Sequence, residues 1–132
     1  MDKLLIGELA RKANVNKETI RYYERKGLIP EPPRNKSGHR EYSQMDVKRT
    51  EFIKRTQSLG FSLREINDLL LLKIEPESTC KDIQELVKSK ITDIDQKITD
   101  LTLIKETLKK LANRCTGKGP VGGCPILDEL EK

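Results

Sequence analysis

The sequence predicts a mainly α fold, in which a bundle of short helices with one β-hairpin precedes a single long helix. Two observations predict it. Helix-capping residues recur at short intervals through the first 75 residues, where one proline-rich segment interrupts the helical pattern. The stretch from Thr79 to Asn113 then contains neither glycine nor proline. We therefore divide the chain into an N-terminal domain (1–75), a long helix (76–113) and a short C-terminal loop and helix (114–132).

The first two helices have the spacing of a helix-turn-helix motif. Asn16 is a favourable N-cap for a second helix that begins at Lys17 and is closed by Gly27. This second helix has polar side chains on its outer turns, where a groove-reading helix needs hydrogen-bond donors. Its candidate DNA-binding residues are Lys17, Glu18, Thr19, Arg21 and Tyr22.

The segment that follows, from Leu28 to Tyr42, predicts a β-hairpin wing. Pro30, Pro32 and Pro33 prevent a helix, and Gly38 lies in a turn-rich basic loop. Basic groups beside a recognition helix can bind DNA phosphates or reach into a groove, although a loop of this kind can also be merely solvated. The candidate DNA-binding residues of the wing are Arg34, Lys36, His39 and Arg40.

Two capping boxes predict the third and fourth helices. Ser43 with Asp46 opens a helix that Gly60 stops, and Ser62 with Glu65 opens the next. Apolar side chains at helical spacing in this region are the expected core. They are Val47, Phe52, Ile53, Phe61, Leu63, Ile66, Leu69 and Leu70.

Composition and charge limit the classes of function. A chain of 132 residues with 35% hydrophobic and 4% aromatic residues has a thin core, so we expect apolar surface to be buried between subunits. Residues 1–60 hold 14 Lys and Arg against 8 Asp and Glu, which favours a polyanionic partner. No stretch resembles a signal peptide or a membrane span. We expect a cytoplasmic protein with no membrane partner.

The long helix carries one apolar stripe that is typical of a coiled-coil seam between Val87 and Leu101. The alternative is an ordinary amphipathic helix packed on its own domain, but this helix is long for so small a domain. The apolar residues of the stripe are Ile83, Val87, Ile91, Ile94, Ile98, Leu101, Ile104, Leu108 and Leu111.

The three cysteines are candidate metal ligands. Cys80 and Cys115 flank a helix that is roughly 50 Å long at 1.5 Å per residue, so they cannot meet within one chain. If two copies pair antiparallel, Cys80 of one chain can face Cys115 of the other, and Cys124 can fold back onto the same ion. Three thiolates select soft metals, whereas Mg, Mn and Ni are disfavoured. A thiol redox sensor, with Cys115 and Cys124 forming a disulfide, is an alternative from another class.

Four motifs together resemble the MerR family of bacterial transcription regulators. The resemblance implies a winged helix-turn-helix domain, an antiparallel coiled-coil dimerisation helix and a C-terminal effector region. It also implies a homodimer that acts on double-stranded promoter DNA and RNA polymerase, and it argues against an enzyme. The motifs are IGELA (6–10), TIRYYERKGLI (19–29), GHREY (38–42) and LGFSLREI (59–66).

Within that family the cysteines are most similar to those of the mercuric-ion-responsive regulators of Gram-positive type. That resemblance implies an Hg(II) site formed by Cys80, Cys115 and Cys124. It further implies repression without metal and activation through distortion of promoter DNA in a mercury-resistance operon. Related regulators that sense lead, cadmium or another soft thiophilic metal are the alternative.

Overall fold

The computed structural model describes residues 3–132, and it is mainly α, as the sequence predicts. β structure in this part of the chain is limited to two isolated antiparallel bridges, Leu4 with Tyr42 and Arg34 with Arg40. A 3-10 turn spans Val121–Gly123. The α-helices are α1 (Ile6–Ala13), α2 (Lys17–Arg25), α3 (Gln44–Ser58), α4 (Leu63–Ile74), α5 (Cys80–Ala112) and α6 (Pro125–Leu130).

Side-chain caps fix where the helices begin, at the positions that the sequence predicts. The Asn16 carboxamide accepts a hydrogen bond from the Thr19 backbone NH at 2.8 Å. Ser43 and Ser62 form reciprocal capping boxes at the starts of α3 and α4. Thr79 does the same for α5, since its hydroxyl accepts from the Asp82 NH at 3.3 Å while its own NH donates to the Asp82 carboxylate at 2.8 Å. Each cap satisfies backbone donors that a helix start leaves unpaired.

The chain divides into two compact units, Met1–Ile83 and Gln84–Lys132. In the first unit α1 packs against α2 and α3, and α3 packs against α4. Its interior is apolar, as predicted, although the predicted core residues Phe52 and Leu63 are only half-buried. The largest fully buried side chains are Leu9, Ile20, Leu28, Ile29, Tyr42, Thr50, Ile53 and Ile66.

The wing is less regular than the β-hairpin that the sequence predicts. Its two sides meet at the bridge between Arg34 and Arg40, where the Asn35 NH donates to the His39 carbonyl at 2.7 Å. Proline has no NH to donate, so the prolines that precede Arg34 limit the ladder to this short contact. Gly38 closes the turn with φ of +83°, a conformation that favours glycine.

Helix α5 is long and exposes apolar side chains along its length. Its buried residues are Lys90 and Leu111. The exposed apolar side chains include Val87, Ile91, Ile94, Ile98, Leu101, Ile104 and Leu108, with exposed fractions between 39% and 64%. We call these seven residues the seam.

Four threonines border the seam, and each donates its hydroxyl to the backbone carbonyl four residues earlier. The donor–acceptor distances lie between 2.7 and 3.2 Å. These hydroxyls are therefore satisfied within their own helix. The four residues are Thr92, Thr99, Thr102 and Thr107.

Across the described residues, no helix has both the length and the apolar character that crossing a membrane would require.

Candidate DNA-binding groove and thiol site

A concave groove of about 830 Å³ lies between α1, α2 and the wing. Five of the nine predicted DNA-binding residues line it, from both α2 and the wing. The groove is therefore lined by cationic side chains, whose charge is complementary to that of a DNA phosphate backbone. These five residues are Lys17, Arg21, Arg34, His39 and Arg40.

Arg11 also lines this groove, and the sequence reasoning missed it. It lies in the last turn of α1, where a basic residue is explained by the helix dipole alone. The place of Arg11 in the groove follows only from the packing of α1 against α2. Gly7 explains part of that placement, because a Cβ added there would lie 3.3 Å from Cε of Lys17.

Three other predicted contacts on α2 line a separate shallow depression of about 430 Å³, together with Asn16, Tyr23, Arg25 and Gln57. Two of them have local roles. The Thr19 hydroxyl donates to the Asn16 carboxamide at 2.9 Å, and Glu18 forms an ion pair with Arg21. Tyr22 lies beneath the cationic groups of Arg25 and Lys26, which are 5.8 and 5.7 Å from its ring centroid. The three residues are Glu18, Thr19 and Tyr22.

The remaining predicted contact, Lys36, is exposed in the wing. Arg34 also helps to shape this loop, since its Nη1 donates to the Gly38 carbonyl at 2.7 Å. The positions of Lys36 and Arg34 do not show whether these residues contact DNA. The assignment of individual DNA contacts therefore stays a prediction.

Arg40 lies against acidic groups of its own chain. It forms ion pairs with Glu24 on α2 and with Glu31 in the connecting loop. The Tyr42 hydroxyl donates to the other oxygen of Glu24. The pKa of Tyr42 is raised to about 12, first by burial and then by the hydrogen bond and charge of Glu24, whereas Arg40 acts in the opposite direction.

Two cationic side chains of α3 bind backbone carbonyls of the same unit. Arg49 donates through Nε to the Leu28 carbonyl at 2.6 Å, and Lys54 donates to the Asn14 carbonyl at 2.8 Å. Both carbonyls lie in connections next to α2, in the turn before it and just beyond its end. These two cations therefore help to fix the setting of α2 in the domain.

The three thiols are all free in the described chain. Cys80 is exposed at the first residue of α5, and Cys115 and Cys124 are half-buried beyond its other end. The Gly117 NH donates to Sγ of Cys115 at 3.3 Å, so this sulfur is a hydrogen-bond acceptor at the start of the loop. Cys124 is the N-cap of α6, and Pro125 follows at the first helical position.

The loop between Cys115 and Cys124 reverses the chain direction. Gly117 and Gly119 have φ of +86° and +101°, backbone angles that residues other than glycine adopt only with strain. An ion pair of 3.1 Å between Arg114 and Glu129 ties the start of this loop to α6. The pKa of Glu129 is lowered first by a hydrogen bond from Lys132 and then by the charge of Arg114.

Within one copy of the described chain, no three side chains of His, Cys, Asp or Glu come together to hold a metal ion. The thiol trio therefore stays a prediction that depends on a second chain.

Family models match most of the molecule. The model for the MerR HTH family regulatory proteins matches residues 4–73, and the model for the MerR DNA-binding region matches residues 47–111. This chain belongs to the MerR family. A MerR family member is a DNA-binding transcription regulator rather than an enzyme, so the predicted class and the helix-turn-helix assignment are confirmed.

Relatives of this MerR family member span its whole length. It is 51% identical over 130 residues to the mercuric resistance operon regulatory protein of Bacillus cereus, with 98% of each chain covered. It is similar to MerR from Bacillus megaterium MB1, solved with mercury(II), at 43% identity and a TM-score of 0.75, with 98% and 100% covered. It is also similar to PbrR691 from Ralstonia metallidurans CH34, solved with lead(II), at 34% identity and a TM-score of 0.87, with 96% and 98% covered.

Proposed function

We propose that this chain is a mercury(II)-responsive regulator of a mercury-resistance operon. The observation that carries the proposal is the set of three free thiols, one at the start of α5 and two beyond its end. The likeness to mercuric resistance regulators over the full chain supports it. As the family resemblance implies, the regulator represses without metal and activates when metal binding distorts the promoter, so that RNA polymerase can engage. It would act on promoter DNA in the cytoplasm.

The proposed regulator is a homodimer that buries the seam of α5. Seven exposed apolar side chains on one helix are a large surface to leave in water. Their order along the sequence favours antiparallel pairing. Counted in residues, the two members of each of three pairs lie equally far on either side of the point between Lys97 and Ile98. An antiparallel copy centred there would place each of these residues opposite an apolar partner. The pairs are Val87 with Leu108, Ile91 with Ile104, and Ile94 with Leu101.

The cysteines obey the same symmetry. Cys80 and Cys115 are equidistant from that midpoint too, although they took no part in choosing it. Antiparallel pairing of the seam would therefore bring the Cys80 thiol of one chain to Cys115 of its partner. Cys124, held near the same loop by the Arg114–Glu129 ion pair, would supply the third sulfur. A dimer would hold two such composite sites.

The chemistry of these ligands limits the effector to a soft metal. Three thiolates, with no imidazole in the loop, fit Hg(II) and other thiophilic ions better than hard cations. A tetrahedral zinc site would require a fourth ligand. Lead(II) is the alternative to test, because PbrR691, which was solved with lead(II), is also similar to this chain. Competition between Hg(II), Pb(II), Cd(II) and Zn(II) for purified dimer would rank these metals.

Mixing two variants tests the composite site. One chain carries Cys80→Ser, and the other carries Cys115→Ser with Cys124→Ser, so each homodimer lacks complete sites. After subunit exchange, the heterodimer should regain one three-thiol site and bind one Hg(II) tightly, with a thiolate-to-metal absorption band. Wild-type chain mixed with a chain that lacks all three thiols is the matched control. That heterodimer has no complete composite site, whereas it would keep one complete site if all three ligands came from the same chain.

The two mixtures therefore give opposite results for a cross-subunit and an intrachain site. Metal binding in the control heterodimer, without binding in the test heterodimer, would overturn the composite site. A redox sensor would instead form a disulfide between Cys115 and Cys124 in air, which mass spectrometry without reductant detects as a loss of two mass units. Full occupancy of that disulfide together with weak Hg(II) binding would favour the redox function.

A further inference from the structure

Glu24 is a nearly buried carboxylate on the recognition helix α2, and it faces the wing. Its side chain is only 7% exposed. One oxygen accepts a hydrogen bond from the Tyr42 hydroxyl, and the other accepts from Nη1 of Arg40. Both partners come from the last part of the wing. A buried carboxylate is stable only when such partners compensate for the water it has lost.

Arg40 is held from a second side as well. Its Nη2 donates to Glu31 at 3.0 Å, and its Nε is buried with no hydrogen-bond acceptor among the described residues. Two of its three nitrogens therefore face carboxylates. Charge-assisted hydrogen bonds of this kind fix geometry as well as charge. A DNA phosphate would therefore have to compete with two carboxylates for this guanidinium.

The partners of Glu24 are themselves fixed in the backbone of the wing. Arg40 forms the bridge with Arg34, on the other side of the wing. Tyr42 pairs with Leu4, with NH to carbonyl distances of 2.8 and 2.7 Å in the two directions. A displacement of the wing would therefore strain the hydrogen bonds that Arg40 and Tyr42 donate to Glu24 on α2.

We infer that Glu24 is a positioning residue, which sets the wing against the recognition helix by holding Arg40 and Tyr42. Arg40 then serves mainly as part of this tie, rather than as the phosphate contact that the sequence predicts. The inference rests on the DNA-binding function that family membership gives, and it is independent of the metal. A tie of this kind keeps the spacing between the two DNA-contacting elements constant.

Glu24→Gln tests the inference, because it keeps the shape and one hydrogen-bond acceptor but removes the charge. The full chain is tested on a duplex selected from random sequences by the wild-type protein. We expect affinity to fall about tenfold, the size of the effect of removing one charge-assisted hydrogen bond. Hydroxyl-radical protection should be lost over the part of each half-site that the wing is expected to cover, and persist where α2 is expected to bind.

The dependence of affinity on salt separates positioning from phosphate binding. Arg21→Gln is the matched control in the groove, and it should reduce the slope of log affinity against log salt by about one for each phosphate that the variant no longer binds. Glu24→Gln and Arg40→Gln should leave that slope at its wild-type value while lowering affinity. A reduced slope for Arg40→Gln would assign it to a phosphate and overturn its role in the tie.

A folding defect is excluded with the double variant Glu24→Gln with Arg40→Gln, which removes both charges of the pair. It should melt close to wild type and still lose protection selectively at the wing. If the double variant loses protection uniformly, or if Glu24→Gln binds and footprints like wild type, Glu24 does not position the wing.

Discussion

The two units of this chain differ in how far they bury their apolar side chains. In Met1–Ile83, Ile53 and Ile66 have no exposed surface, and short helices close a core around them. In Gln84–Lys132, Ile98 and Leu101 lie on one long helix and are 57% and 64% exposed. The first unit has its own core within one chain. The second leaves apolar side chains exposed, and a second chain would cover them in the proposed homodimer, so its stability should depend on protein concentration.

The largest effect should come from a charge in the seam. Ile94→Asp places a carboxylate where two apolar helix faces are proposed to meet, so we expect loss of the dimer. Sedimentation would then give a monomer, and tight Hg(II) binding would disappear with it. The N-terminal unit should keep its helical signal, because Ile94 lies outside it.

Ser89→Asp is the matched control, since it adds the same charge at an exposed position of α5 away from the seam. It should remain dimeric. A dimeric Ile94→Asp protein would remove the basis of the comparison between the two units.

Truncating one isoleucine in each unit tests whether the stability of the two units depends differently on protein concentration. Ile53→Ala opens a cavity in the closed core and should cost about 3 kcal/mol of unfolding free energy at any protein concentration. Ile98→Ala should instead weaken assembly, so its loss of stability against denaturant should shrink as protein concentration rises. Chemical denaturation at two concentrations a hundredfold apart measures both. Equal concentration dependence for the two variants would contradict the expectation.

A smaller effect is expected from the buried tyrosine of the first unit. Because the pKa of Tyr42 is raised from 10.0 to about 12 in the folded state, its contribution to stability is complete below pH 10. That contribution is lost as the pH rises toward 12. Tyr42→Phe should therefore flatten the fall in stability across this alkaline window, relative to wild type.

The smallest effect on stability should come from the exposed ion pair of the second unit. Glu129→Gln removes the partner of Arg114 and Lys132, and exposed pairs contribute little to folding. We expect an unchanged melting temperature but weaker Hg(II) binding, because the loop is then less well held. Glu131→Gln makes the same charge change two residues away. Equal metal affinities for the two variants would show that the ion pair does not organise the loop.

Helix positions could be predicted from the sequence because their signals are local. Asn16, Ser43, Ser62 and Thr79 each cap a helix through a backbone NH three residues on, and that spacing can be read without any tertiary information. The apolar stripe of α5 was equally visible, since it depends only on helical period.

The details of the groove depend on contacts between distant segments. The sequence placed Arg40 with the DNA contacts because it is a basic residue in a wing, but its carboxylate partner is 16 residues away on another element. Arg11 was missed for the converse reason, because α1 gives no sign of facing the groove until α2 and the wing are in place. Charge and spacing thus identified five residues that line one groove, but they could not assign a role to any of them.

The hydroxyls beside the seam bear on how quickly two chains can exchange partners. Thr92, Thr99, Thr102 and Thr107 each have an acceptor in their own helix. In the proposed dimer these hydroxyls would donate no hydrogen bond to the other chain, so no such bond would have to break when the helices separate. The barrier to dissociation along this border therefore comes from apolar contact, which weakens on cooling. Two chains of the proposed dimer would therefore exchange partners without breaking any hydrogen bond donated by these four threonines.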